Sequence, residues 1–152
     1  MGNEFQDSIV VAARTDQLQQ VREFMMRKVR ESALPDREKN KVVLAVDEAV
    51  ANIIKHAYSG AGEGKVQVDV RADARRFEIL IFDTGQCFDP SAIKNPDMQE
   101  HVRLGKKTGL GIFLMRQIMD EVSYNFAEGR QNQLHLVKFI PPPDEGEKTP
   151  AP

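Results

Sequence analysis

Glu48, Asn52 and His56 stand four residues apart in the segment DEAVANIIKHAY. On a helix that spacing puts a carboxylate, an amide and an imidazole nearly in line. A carboxylate can take a proton from a reacting hydroxyl, and an amide oxygen can hold a hard cation such as Mg2+. Two glycine-bearing segments follow, Asp83–Gln86 (DTGQ) and Thr108–Gly111 (TGLG). An aspartate can accept a hydrogen bond from the exocyclic amine of a base, and Gly85 would let a ring approach the backbone. Glycines at the start of a helix leave backbone N–H groups bare for phosphate, reinforced by the helix dipole. Each piece has an ordinary structural reading, but their order and separation together point to a nucleotide site.

Those ordinary readings are concrete. A polar stripe is common on an exposed helix face, although Asn is a poor choice in mid-helix. His56 taken alone fits a packing or hydrogen-bonding residue. Asp83-Thr84-Gly85 could simply be a turn that ends a strand. Gly105-Lys106-Lys107-Thr108 mimics the end of a P-loop, but the upstream glycine is absent and two lysines precede the threonine. The His-Arg-Asp loop and Asp-Phe-Gly of protein kinases are absent too.

The site needs elements to position it. Ser8–Ala13 reads as a strand, and Thr15 as the N-cap of a helix running to about Glu31, with Asp16 in its first turn. Leu34-Pro35-Asp36 marks a break and a restart. A second helix should run from Asp36 to Tyr58, with Val42, Val46, Ala49, Val50, Ile53 and Ala57 facing the core. At about 100° per residue, Glu48, Asn52 and His56 fall roughly 90–160° from the centre of that face, on the flank and back. After the glycine-rich loop Ser59–Gly64, Val66, Val68 and Val70 alternate as in a strand with one buried face. A turn at Asp73-Ala74-Arg75 leads to Phe77–Phe82, apolar enough for a central, covered strand. Pro90–Lys107 is long, polar and aperiodic, which suits a functional loop. A third helix should open at Thr108–Gly111 with Ile112, Met115, Ile118 and Met119 as its apolar side. Val122–Phe126 and Leu134–Ile140 should form a closing hairpin around Glu128-Gly129-Arg130, and 141–152 a disordered Pro-rich tail after a single domain at 1–140. The order β-α-α-β-β-loop-α-β-β predicts an α+β two-layer sandwich, with a mixed, mostly antiparallel sheet and helices on one face.

Composition narrows the class. The chain has 152 residues, of which 41% are apolar and 29% charged, and a net charge of −2. That suits a soluble domain and argues against a general nucleic-acid binder. The single cysteine, Cys87, allows no internal disulfide and too few thiols for a cysteine zinc site. A reducing cytoplasmic setting is the expectation, with neither a signal peptide nor a membrane span in the sequence.

In these segments the chain resembles the Bergerat-fold (GHKL) ATPases, which include Hsp90, gyrase B, MutL and histidine kinases. Glu48, Asn52 and His56 match the N box, Asp83-Thr84-Gly85 the adenine box, and Gly109-Leu110-Gly111 the second glycine box. DEAVANIIKHAY, DTGQCFDP and TGLGIFLMRQIMDEVSY are most similar to RsbW-type anti-sigma factors, which are small serine-protein kinases. The likeness runs from about Ser8 to Ile140. It implies a kinase that uses ATP and Mg2+ to phosphorylate a Ser or Thr on a STAS-domain antagonist. It also implies a sequestered sigma factor or other regulator as second partner, and it allows a homodimer. Glu48 would be the catalytic base and Asn52 the Mg2+ ligand. His56, Asp83, Gly85, Lys106, Lys107, Thr108, Gly109, Leu110 and Gly111 would complete the nucleotide site, with Pro90–Lys107 as a lid that orders on ATP binding. The strand Gln131–Lys138 lacks the Thr that many relatives place near the adenine, so no adenine contact carries over to the last hairpin. Two rival readings use the same residues: an ATP-binding switch that sequesters a partner without phosphotransfer, and a histidine-kinase catalytic domain acting in trans.

Overall fold

Alternation of apolar and polar residues builds the sheet, and 3.6-residue periodicity builds its cover. The computed structural model describes residues 4–57, 64–83, 110–125 and 131–142. Strand β1 (Phe5–Ala12) leads through a 3-10 turn at Thr15–Gln17 into helices α1 (Leu18–Glu31) and α2 (Asp36–Ala57). Strands β2 (Lys65–Ala72) and β3 (Arg76–Asp83), helix α3 (Leu110–Ile118) and strands β4 (Glu121–Asn125) and β5 (Asn132–Phe139) follow. The five strands lie in the order β1-β2-β3-β5-β4, and every neighbouring pair is antiparallel. The expected α+β sandwich is present, with a more uniform sheet than the mixed one anticipated.

Register decides which side chains share a face. One row across the sheet is Ile9, Val68, Ile81, Leu134 and Tyr124, and the next is Asp7, Val70, Ile79, Leu136 and Val122. This face meets Val21, Phe24 and Met25 of α1, Val42, Val46, Ala49, Val50 and Ile53 of α2, and Ile112 and Met115 of α3 in one core. β3 is central, as its composition predicts, and described helices cover one of its faces. Glu78, Leu80 and Phe82 point to the opposite face and are half-buried. There Glu78 bonds the His135 ring (2.9 Å) and draws in Arg76 (3.4 Å) and Arg71 (3.6 Å). Leu80 sits between Asp69 and His135, and Phe82 between Gln67 and Gln133. Cross-strand neighbours at this spacing shield an apolar side chain without a second layer.

Several local expectations shift. β1 starts at Phe5 rather than Ser8. Thr15 is inside the 3-10 turn and caps no helix; the preceding residue is Arg14, whose guanidinium grips Asp16 at 3.0 and 3.2 Å. α1 ends at Glu31, as expected, and buried Ser32 caps it. The Ser32 hydroxyl donates to the Val29 carbonyl (2.7 Å) and accepts from the Leu34 N–H (3.2 Å). The β2–β3 turn is held by Asp73, whose carboxylate accepts from the backbone N–H groups of Arg75 (2.8 Å) and Arg76 (3.0 Å). Those bonds stabilise the ionised form and hold its pKa below the usual range. β4 and β5 close the sheet at 121–125 and 132–139, so Phe126 falls outside the described residues and Ile140 just beyond the strand. Tyr58, the loop at 59–63, the turn at 128–130, the expected lid at 90–107 and the tail from 143 also lie outside the described residues. Gly64, the last residue of the first loop, has φ 96°, which glycine adopts without penalty.

Lys28 ties edge strand β1 to α1. It is only 7% exposed. Its ammonium reaches Asp7 (2.8 Å) and Glu31 (3.2 Å) and lies 5.7 and 5.6 Å from the ring centres of Phe5 and Phe24. The hydrogen bond from Lys28 lowers the Asp7 pKa below 3.8, and its partner raises that of Lys28 above 10.5. The Asp7 contribution is therefore full above pH 3.8 and lost as pH falls through its lowered value. The Lys28 contribution is full below pH 10.5 and lost as pH rises through its raised value. Asp7→Ala leaves a buried ammonium with one partner fewer. Because Asp7 is half exposed, the expected cost is about 1–2 kcal/mol, flat between pH 5 and 9 and vanishing below pH 3.8. Lys28→Met, which removes the buried charge, should stay within about 1 kcal/mol of wild type. Urea unfolding of the two variants across pH checks both.

Candidate functional site

Lys138, near the end of β5, joins the strand to two helices. Its ammonium donates to the Ile118 carbonyl at the C-terminus of α3 (2.8 Å) and pairs with Glu38 at the start of α2 (3.5 Å) and with Asp120 (3.8 Å). The N-terminus of α2 and the C-terminus of α3 are thus fixed at one end of β5. From Glu38 the helix rises about 15 Å to Glu48 and about 21 Å to Asn52, at 1.5 Å per residue. From Lys138 back to Asn132 the strand spans about 20 Å, at 3.3 Å per residue. The end of β3 at Asp83 and the start of β5 at Asn132 meet at that far end of the strand.

Glu48 and Asn52 are half-buried beside a buried stripe of Ala45, Ala49, Val50 and Ile53. Burial pushes the Glu48 pKa up, and the neighbouring Asp47 charge pushes it further. Each disfavours the ionised form, which makes the carboxylate a stronger proton acceptor. Asp47 is itself engaged across the helix pair. Its Oδ2 accepts from Arg22 of α1 at 2.8 and 3.2 Å. Its Oδ1 is a buried oxygen with no hydrogen-bond partner among the described residues.

Asn52 donates from Nδ2 to the Glu48 backbone carbonyl (2.9 Å). That bond holds the amide by its nitrogen and leaves the oxygen, a hard donor, as the end suited to a cation. Among the described residues no cluster of three or more His, Cys, Asp or Glu could hold a metal ion. Asn52 is the described residue whose side-chain oxygen would hold a Mg2+ ion here.

Asp83 is 2% exposed at the end of β3, opposite Asn132 in the register. Asn132, 1% exposed, donates from Nδ2 to Asp83 Oδ1 at 2.9 Å. Sequence reading passed over Asn132 because it sought a Thr on that strand. The readable signal was a polar residue opening a strand otherwise buried at Leu134 and Leu136. Arg22 and Asp47 were also passed over, since a surface ion pair between two helices leaves no spacing signature.

α3 begins at Leu110 with Gly111 in its first turn, so its leading N–H groups have no partner within the helix. His56 lies on α2, but its side chain is outside the described residues, as are Gly85, Lys106, Lys107, Thr108 and Gly109.

The described residues thus hold a half-buried carboxylate and amide on one helix, an aspartate bonded at a strand end and the first turn of α3. Residues 11–138 match the histidine kinase-like ATPase domain family, and the chain belongs to it. It is similar to the serine-protein kinase RsbW of Listeria monocytogenes, 32% identical over 90 residues, 57% of each chain. It is 37% identical over 102 residues to the serine-protein kinase RsbW of Staphylococcus epidermidis, 64% of this chain and 63% of that one. The chain thus spans about three fifths of the curated relatives it matches. The ATPase domain implies ATP use.

Asp83→Ala removes a buried acceptor and leaves the Asn132 amide without it. The expected loss of stability is about 1–3 kcal/mol. Chemical denaturation of the apo protein measures it, and an unchanged midpoint would place the bond outside the folded core.

Proposed function

We propose that this chain is an ATP-dependent serine/threonine-protein kinase that regulates by switching partners, as an anti-sigma factor of RsbW type. The observation that carries the reading is Glu48, a half-buried carboxylate with a raised pKa, one helical turn before Asn52. Its relatives named serine-protein kinase support the reaction class. The acceptor is a Ser or Thr hydroxyl on a STAS-domain antagonist, and the sequestered partner is a sigma factor or other regulator. The setting is cytoplasmic, and no described helix is long and apolar enough to cross a membrane.

Phosphoryl transfer asks for positioning and charge neutralisation more than covalent help. Glu48 accepts the proton of the attacking hydroxyl. Asn52 holds Mg2+ through its side-chain oxygen, and when bound the ion neutralises charge on the phosphate oxygens. The N–H groups at the start of α3, with Gly109 and Gly111, take the phosphates. Asp83 reads the adenine amine. His56, Gly85, Lys106, Lys107, Thr108 and Leu110 complete the nucleotide pocket, and 90–107 serves as the lid.

Glu48→Gln keeps shape and loses the base. ATP affinity should stay near wild type, while phosphotransfer to a captured partner falls by about 10²-fold or more. Transfer at the wild-type rate would remove Glu48 from the role. Acid-labile phosphate on the acceptor would instead favour a histidine-kinase reaction, and ATP binding with no transfer at all a sequestering switch.

Asn52→Ala should weaken ATP binding only when Mg2+ is present. Paired titrations in Mg2+ and in EDTA test this, and an equal loss in both would take the ion away from Asn52.

A further inference from the structure

We infer that Asn132 is a positioning residue for base selection, holding the Asp83 carboxylate in the plane from which it meets the amine of adenine. The inference rests on the reading that Asp83 contacts the base. Three observations support it. The two side chains face each other across β3 and β5, at the last residue of one strand and the first of the other. The bond is short, 2.9 Å from Asn132 Nδ2 to Asp83 Oδ1. Both residues are almost wholly buried.

A carboxylate ending a strand can rotate about its last torsion, which is broad and roughly two-fold. One donor fixed on a neighbouring strand removes that freedom before ligand arrives. Preorganisation of this kind lowers the cost of binding and sharpens selectivity. Asn132 suits the task because its amide donates from Nδ2 while its oxygen remains an acceptor. A wrong base then meets a carboxylate that cannot turn away. Inosine triphosphate carries a carbonyl where adenine carries the amine, so two acceptors would oppose each other at Asp83. A site built to pair with a donor penalises such a partner heavily.

The separating experiment measures Kd for ATP and for inosine triphosphate by calorimetry, in Mg2+ buffer, on the full chain. Wild type should prefer ATP by about tenfold or more, on the scale of one lost buried hydrogen bond. Asn132→Leu should weaken ATP by about tenfold and inosine triphosphate by less than threefold, collapsing the preference. Asn132→Ala, which also lacks the donor but asks less of the packing, should collapse it likewise and serves if the leucine variant does not fold. A preference that survives in the variants, whether or not both affinities fall together, would overturn the inference and make Asn132 structural only. Absence of a preference in wild type would instead overturn the reading of Asp83 on which it rests.

Discussion

Helices can aim their functional ends at one place only if their other ends are anchored. Here the anchor is Lys138, which binds the last carbonyl of α3 and the acidic residues Glu38 and Asp120. A lysine at a helix C-terminus meets the negative end of the dipole, so the contact is favourable at both of its jobs. It fixes the start of α2 and the end of α3 to the same end of β5. The arrangement depends on register as well. Lys138 is opposite Phe77, and six residues away along the same strand Asn132 is opposite Asp83. A slip of one residue would turn both polar groups to the other face.

The sheet is covered on one side by described elements, and the polar groups are distributed accordingly. On the helix-covered face polar side chains occur where they are paired: Asp7 with Lys28, Asp83 with Asn132, Lys138 with its three partners. On the open face a row of ordinary surface chemistry centres on Glu78. Burial makes the first group demanding of partners and the second tolerant. Glu48 sits between these regimes. It is buried enough for its pKa to rise and still reaches solvent. Arg22 and Asp47 add a link from α1 to the residue next to it, so the first helix is joined to the turn that carries Glu48.

The elements were legible in the sequence because they rest on local rules, and so was the placing of Glu48 and Asn52 on one helix and of Asp83 at a strand end. Valines at alternate positions, the apolar stripe of α2, the Asp73 turn and the four-residue spacing of Glu48 and Asn52 each follow from backbone period and short-range hydrogen bonding. Motif order was enough to place the chain among nucleotide-binding ATPases. What failed locally failed for stated reasons. Thr15 has the chemistry of a cap, but a 3-10 turn with an Arg14–Asp16 pair starts the helix instead.

Tertiary structure alone decided which distant residues touch. Asn132 and Asp83 are 49 residues apart, Lys138 and Ile118 are 20, and Arg22 and Asp47 are 25. No spacing rule connects such pairs, because each depends on strand order, register and helix docking at once. The sequence by itself determined the period of every element and the kind of chemistry the polar residues can do. Only the packed fold determined that an asparagine would hold the aspartate, since long-range pairing is set by the burial of the whole face rather than by either residue alone.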